Sequence, residues 1–493
     1  MNRRKFLALM PAGLAATESM AKATTTSVSQ KPNFLFMIAD DLTYRSIHAL
    51  NNSEIRTPNL DRLAASGTAF THCFHQGAWA PAVCVPSRTM LNSGLTAFHA
   101  KEGLDQVPTW GQTLRRAGYD TYLCGKWHLD ITALERSFQR IGTLGQGVPP
   151  STRGPGAAYN RPSPGNDWQP WDQTLKGHWL HTDLWINQTP DTIEHASVVL
   201  ANDAITYLKE RAARPETPFF LYLGLTAPHD PRQSPREYLD LYPEGEIEIP
   251  PNFLAEHPFD QGDFKIRDEM LAPFPRTKEA VQLHRREYYS IITHMDHQIG
   301  RVLDELESLG LRSNTYVILT SDHGLAVGEH GLMGKQNMYD CSIRVPLLLS
   351  GPGILAGQRV DELVYQHSMY ATSCDLAGIP VPPTVEFPSL VPLLRGTTEP
   401  LHDAVFSYYR NFQRAVRTKT HKLIVYPQVQ RAQLFDLEKD PWEVHDLISD
   451  PTSQTLKDQL MQRLKLFQKE LDDNLDLEHP IPEADEVWGG SPS

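Results

Sequence analysis

The chain has 493 residues with 46 Lys or Arg against 59 Asp or Glu, a formal charge of −13. That acidity excludes nucleic acid and anionic membrane as main partners, so an anionic substrate needs a local cationic pocket. The length suits one large α/β domain with a smaller appendage. The five cysteines, Cys73, Cys84, Cys124, Cys341 and Cys374, are too few for a disulfide scaffold and lack the CxxC spacing of a zinc site.

The first residues, "MNRRKFLALMPAGLAATESMAKA", join Arg3 and Arg4 to a short apolar run and a small-residue ending at Ala23. They resemble a twin-arginine signal over residues 1–23. This predicts export through that machinery and a periplasmic or secreted protein. The run is too short to span a bilayer, and no later segment reaches about 20 apolar residues, so no membrane span is expected.

Four apolar runs then each end in a residue that does chemistry. "NFLFMIADD" ends at Asp40 and Asp41, and "YDTYLCGKWH" at Lys126 and His128. "PFFLYLGLTAPH" ends at His229, and "TYVILTSDH" at Asp322 and His323. Such continuous runs suit parallel strands buried on both faces, and ligands bind outside the carboxyl ends of such strands. Between them, "TPNLDRLAASG" reads as a helix with Thr57 as cap, Pro58 at its first position and Gly67 as stop. In "APAVCVPSRTMLNSG", Pro86 fits a first helical turn. Cys84 then sits at the helix's positive end, with Arg88 one turn along the same face. Tyr288, Ile292, Met295, Ile299, Val302, Leu306 and Leu309 step by three or four, a helical stripe leading into the "TYVILTSDH" strand.

Two stretches break this pattern. Residues 142–190 are crowded with Gly and Pro and carry Trp168, Trp171, Trp179 and Trp185, aromatics able to stack on a sugar ring or to fill a surface cluster. A polar, proline-rich stretch follows His229 to about Thr277. Near Pro400 the texture changes to "AVFSYY", "QRAVRT" and "HKLIVYP", then a helix with Leu456, Leu460, Leu464, Phe467 and Leu471 in register. The expected architecture is a catalytic domain over 31–398 and a C-terminal α+β subdomain over 399–493.

Asp40, Asp41, Asp322 and His323 come from two strand ends, and converging carboxylates repel unless a cation sits among them. Oxygen ligands favour calcium, or magnesium, over zinc. Arg88, Lys126, His128, His229 and Lys335, the last in "GEHGLMGKQNMYD", form a cationic group suited to a tetrahedral oxyanion.

"CVPSRTMLNSG" resembles the signature of the type I sulfatases, Cys-x-Pro-Ser-Arg continuing to a leucine and a glycine. "ADD", "GKWH", "APHDP", "TSDHG", "GEHGLMGK", "RVPLLLSGPG" and "LFDLEKDPWEVHDL" extend the likeness in order along the chain. The resemblance implies an alkaline phosphatase-like fold, a large, mostly parallel sheet sandwiched by helices, and hydrolysis of sulfate esters. It implies that a formylglycine-generating or maturase enzyme in the cytoplasm oxidises Cys84 to formylglycine, whose hydrate is the nucleophile. Metal ligands would be Asp40, Asp41, modified Cys84, Asp322 and His323, around calcium; many relatives carry Asn where this chain has His323. Lys126, His229 and Lys335 would hold sulfate, His229 and Lys335 also protonating the departing oxygen. Arg88 and His128 would address the formylglycine hydroxyls, with Asp322 as base. Export and the tryptophan-bearing stretch favour a sulfated poly- or oligosaccharide as substrate. A phosphonate or phosphate monoester hydrolase of the same superfamily is the alternative, and a sulfoglycan-binding protein without turnover the reading from another class.

Overall fold

The computed structural model describes residues 31–145 and 195–485, apart from 231, 233 and 244. The expected export signal and the four tryptophans of the 142–190 stretch lie outside the described residues. Residues 142–145 of that stretch are not loop: they complete a strand.

The main sheet contains β1 (Asn33–Asp40), β2 (Thr68–Phe74), β4 (Asp120–Lys126), β5 (Arg140–Gly145), β6 (Phe219–Pro228), β7 (Thr315–Ser321), β8 (Arg344–Ser350), β9 (Gln358–Val360) and β10 (Val364–Tyr365). Its order is β10-β2-β8-β7-β1-β6-β4-β5, with β9 also on β2. The central run β7, β1, β6 and β4 is parallel, pairing Leu35 with both Val317 and Leu221, while β8 runs antiparallel to β7 and to β2. The four runs that end in reactive residues are therefore neighbours, and their carboxyl ends open on one place.

Alternation along β1 explains its unbroken apolarity. Leu35, Met37 and Ala39 enter a core shared with Ile292, Met295 and Ile299, whereas Phe34, Phe36 and Ile38 enter the opposite core with Trp110 and Leu134. Both faces are covered by helices, so neither can be polar. α1 (Pro58–Ala65) starts after Thr57, but the Thr57 side chain does not cap it: Thr57 Oγ1 accepts from the His48 amide and donates to Asp61. The helix carrying the Tyr288 stripe spans Lys278–Ser308, ten residues longer at its start than the stripe, with Thr277 as cap and Leu309 just past its end.

A second sheet orders β14 (Arg431–Asp436), β13 (His421–Tyr426), β12 (Gln413–Thr418), β11 (Ala404–Tyr409) and β3 (Gly77–Ala78). Its first four strands belong to the C-terminal region, and the helix Gln454–Glu470 packs on them through Leu460, Leu464 and Phe467. β3 comes from the loop before Cys84, so the C-terminal sheet is stitched directly to the segment that carries that cysteine.

Candidate active site

α2 (Cys84–Ser93) begins at Cys84 itself, with Pro86 two residues inside the first turn, where its missing N–H is still without an intrahelical partner. Cys84 is buried at the helix's positive end. Ser87 Oγ donates to the Asp322 carbonyl at 2.6 Å, and Gln366 donates to both, fixing the helix against the end of β7.

Around Cys84 the strand ends converge. The ligand atoms of Asp40, Cys84, Asp322 and His323 all lie within 4.8 Å of one another, and a second such group joins Asp40, Asp41 and His229. All are buried. Lys126 pairs with Asp40 and lies 4.0 Å from Cys84 Sγ; Lys335 Nζ donates to Asp41 Oδ1 at 2.8 Å; Arg88 Nε donates to Asp322 Oδ2 at 2.9 Å. His128 hydrogen-bonds the Cys84 side chain. The structure thus brings together all ten residues singled out from the sequence.

Backbone strain is concentrated here. Asp41 and His128 sit at φ +72° and +61°, a conformation costing a non-glycine residue about 1 kcal/mol or more. Gly125, at φ +98°, precedes Lys126 at an irregularity in the β4–β5 pairing. A side chain there would collide with the Gly224 carbonyl of β6, so only glycine lets Lys126 turn into the site.

The cluster draws positive charge. Burial alone penalises every ion in it, yet Lys126 and His229 hold the Asp40 carboxyl well below its usual range. Burial, reinforced by Asp40, pushes Asp322 up to about 6. Burial would lower His323, but Asp322 and Asp41 raise it to about 9. Burial opposes ionisation of the Cys84 thiol, but Lys126 and His128 bring it well below its usual value. Lys126 and burial lower His128, leaving its ring a neutral base. The residues fit a metal ion on two further counts. Asp40 Oδ1 is buried without a hydrogen-bond partner, and His323 Nδ1 lies 3.0 Å from the Gly324 carbonyl, which leaves Nε2 as the ring nitrogen that a cation would claim in place of a proton.

The model of the Sulfatase family matches residues 32–379, and that of the N-sulphoglucosamine sulphohydrolase C-terminal region matches 328–470. The chain belongs to the sulfatase family. Among its relatives, the Arylsulfatase of Clostridium perfringens is 28% identical over 466 residues, covering 90% of this chain and 95% of that protein. The Choline-sulfatase of Rhizobium meliloti is 30% identical over 447 residues, covering 85% and 83%. A structure in complex with its substrate D-glucosamine-2-N,6-O-disulfate superposes with a TM-score of 0.69 at 23% identity, covering 90% of this chain and 99% of that one. The phosphonate monoester hydrolase of Silicibacter pomeroyi gives 0.71 at 21% identity, covering 90% and 96%. The fold is alkaline phosphatase-like, and this sulfatase is a sulfuric ester hydrolase.

Four further polar residues, not singled out by the sequence motifs, join the site. Asp230 lies in "APHDP" and its carbonyl accepts from His229 Nδ1 at 2.8 Å; Gln336 follows Lys335. Both stood inside quoted motifs. Arg267 and Asp268 had no local signal, because they lie in the irregular stretch after His229 and meet the site only through the fold.

Proposed function

We propose that this sulfatase is an exported enzyme, with its catalytic domain over 31–398 and a C-terminal subdomain over 399–493, that removes sulfate from a sulfated poly- or oligosaccharide. The observation that carries the chemistry is Cys84 at the head of α2, buried among Asp40, Asp322 and His323 with Lys126 at 4.0 Å. The substrate class draws support from relatives. One of Bacteroides thetaiotaomicron is named N-acetylglucosamine-6-O-sulfatase and is 25% identical over 525 residues, and a structural neighbour holds a glucosamine disulfate.

Asp40, Asp41, Asp322, His323 and the residue at 84 would hold a calcium ion. Such an ion would supply positive charge that offsets the crowded carboxylates, and Lewis acidity toward the ester. Formylglycine made from Cys84 would supply, as its hydrate, an oxygen nucleophile in place of the thiol. The remaining roles fall to this chain's own groups. Lys126 and Lys335 offer cationic donors to the sulfate oxygens, and Arg88 orients a hydroxyl of residue 84 while Asp322 takes its proton. His229, with Nδ1 committed to the Asp230 carbonyl, has Nε2 as the atom through which a proton would pass to the leaving alcohol. His128, hydrogen-bonded to the side chain of residue 84, is the second proton acceptor.

Peptide mass spectrometry of active enzyme is expected to find formylglycine at residue 84; unmodified cysteine at full activity would overturn the proposal. Sulfate release, screened over defined sulfated sugars beside a phosphonate monoester, is expected from a sugar. Chelation should abolish it and calcium restore it.

A further inference from the structure

The proline-rich stretch after His229 brings a second layer of charge against the sulfate-binding cations. Arg267 Nη1 donates to Asp230 Oδ2 at 2.6 Å and Nη2 to Asp230 Oδ1 at 3.0 Å, a two-pronged grip. Nη2 also donates to Asp268 Oδ1 at 2.6 Å and lies 3.4 Å from His229 Nε2. Asp268 directs its other oxygen to Gln336 Nε2 at 2.8 Å, with Lys335 Nζ at 3.9 Å. Gln336 accepts from the Lys335 amide and donates to the carbonyl of Pro81, three residues before Cys84. The side chains of Asp230 and Asp268 are 2% and 7% exposed, and that of Arg267 12%.

Two buried carboxylates beside a site for an anion repel that anion unless they are matched. Arg267 meets both, and Lys335 faces the second. Because a guanidinium engaged by two carboxylates has no surplus charge, Arg267 is not itself a seat for sulfate. Its effect is to offset one of the two negative charges of Asp230 and Asp268, and to fix the acids that in turn hold His229 and Lys335.

We propose that Arg267 is a positioning residue of the sulfate-ester site: by clamping Asp230 and Asp268 it keeps the pocket electropositive and sets His229 and Lys335 in place. The role rests on the proposed sulfatase chemistry. It makes a prediction of opposite sign for two members of one network. Removing Arg267 uncovers negative charge and weakens anion binding. Removing the Asp268 charge takes the group of Arg267, Asp230 and Asp268 from a net negative charge to neutral and strengthens anion binding, while the loss of the acid shared by Lys335 and Gln336 slows turnover. A loss of packing alone would weaken binding in both.

The test is calorimetric titration of inorganic sulfate into the wild type, Arg267→Ala, Arg267→Lys and Asp268→Asn, with kcat and KM on nitrophenyl sulfate alongside. Arg267→Ala is expected to weaken sulfate binding about tenfold and raise KM, the scale of one unit charge near a partly buried anion. Arg267→Lys should recover sulfate binding but not kcat, since a single ammonium cannot reproduce the two-pronged grip. Asp268→Asn should tighten sulfate binding severalfold with a lower kcat. It keeps the Arg267–Asp230 pair, so it decides the matter even where Arg267→Ala fails to fold. Equal affinities throughout, weaker binding in Asp268→Asn, or no sulfate binding by the wild type would overturn the proposal. A wild type that binds sulfate but hydrolyses no sulfate ester would sink the sulfatase chemistry alone, leaving the affinities to decide the role of Arg267.

Discussion

Arg88 Nε donates to Asp322 Oδ2 at 2.9 Å, and neither side chain is exposed to solvent. Arg88 Nη1 also donates to the Lys126 carbonyl at 2.7 Å, so one guanidinium ties the helix of Cys84 to the ends of β7 and β4. Such a buried pair is costly to break from one side, because the abandoned carboxylate stays buried.

Arg88→Ala should therefore destabilise the metal-stripped protein by about 3–5 kcal/mol, read by denaturant unfolding. Divalent metal should recover part of that loss if Asp322 is one of its ligands. Arg88→Lys keeps the charge but cannot reach both partners, so it should retain more stability than activity. Unchanged stability in Arg88→Ala would count against the pairing.

Cys84→Ala should reduce sulfate release to background while costing only about 1 kcal/mol or less of stability. The side chain is small, and α2 is anchored by Ser87 and Gln366, not by the thiol. Thermal melting and an ester assay on the same preparation check both halves. A large fall in melting temperature would mean that the cysteine supports the fold as well as the chemistry.

The strand ends were legible because burial on both faces demands an unbroken apolar run, which makes the terminal Asp40 or Asp322 stand out. The first turns of the helix Lys278–Ser308 were not. Its buried positions there include His284, whose nitrogens engage Arg232 and the Leu271 carbonyl, so burial left no apolar period to read. β14 falls inside "RAQLFD", where pairing with β13 outweighs a mixed sequence. Arg267 escaped for a different reason: its partner Asp230 lies 37 residues away, and no spacing rule links them.

His99 gives a pH-dependent bond between the segment after α2 and the C-terminal region. Its Nδ1 lies 2.7 Å from Glu386 and its Nε2 3.0 Å from Asp472, beyond the C-terminal helix. Burial lowers its pKa, but the hydrogen bonds to Asp472 and Glu386 outweigh this and raise it. A histidine raised on folding contributes stability that is full below its unfolded pKa, about 6.5, and is lost as pH climbs through the raised folded value. The melting temperature of His99→Gln should thus fall below wild type at pH 5.5 and approach it at pH 9. A constant gap would show that the ring's contribution is packing, not charge.

Leaving-group protonation and sulfate binding can be told apart by changing the alcohol. His229 has Nδ1 fixed by the Asp230 carbonyl and Nε2 3.9 Å from Asp41, whereas Lys126 pairs with Asp40 close to Cys84. General acid catalysis is worth about a hundredfold to ten-thousandfold, and it matters most when the departing alcohol is poorly acidic, as a sugar hydroxyl is. An activated aryl alcohol departs with little help. His229→Ala should then cost far more kcat/KM on a sulfated sugar than on nitrophenyl sulfate. On the role proposed for Lys126, Lys126→Ala would remove a contact to sulfate oxygens common to both esters, so it should cost each similarly. Because kcat/KM reports the transition-state stabilisation lost in each case, measuring both variants on both esters separates the two roles. Equal losses for His229→Ala would transfer the acid's part to Lys335, whose ammonium burial disfavours but Asp41 and Asp268 stabilise, holding its pKa well above the usual value.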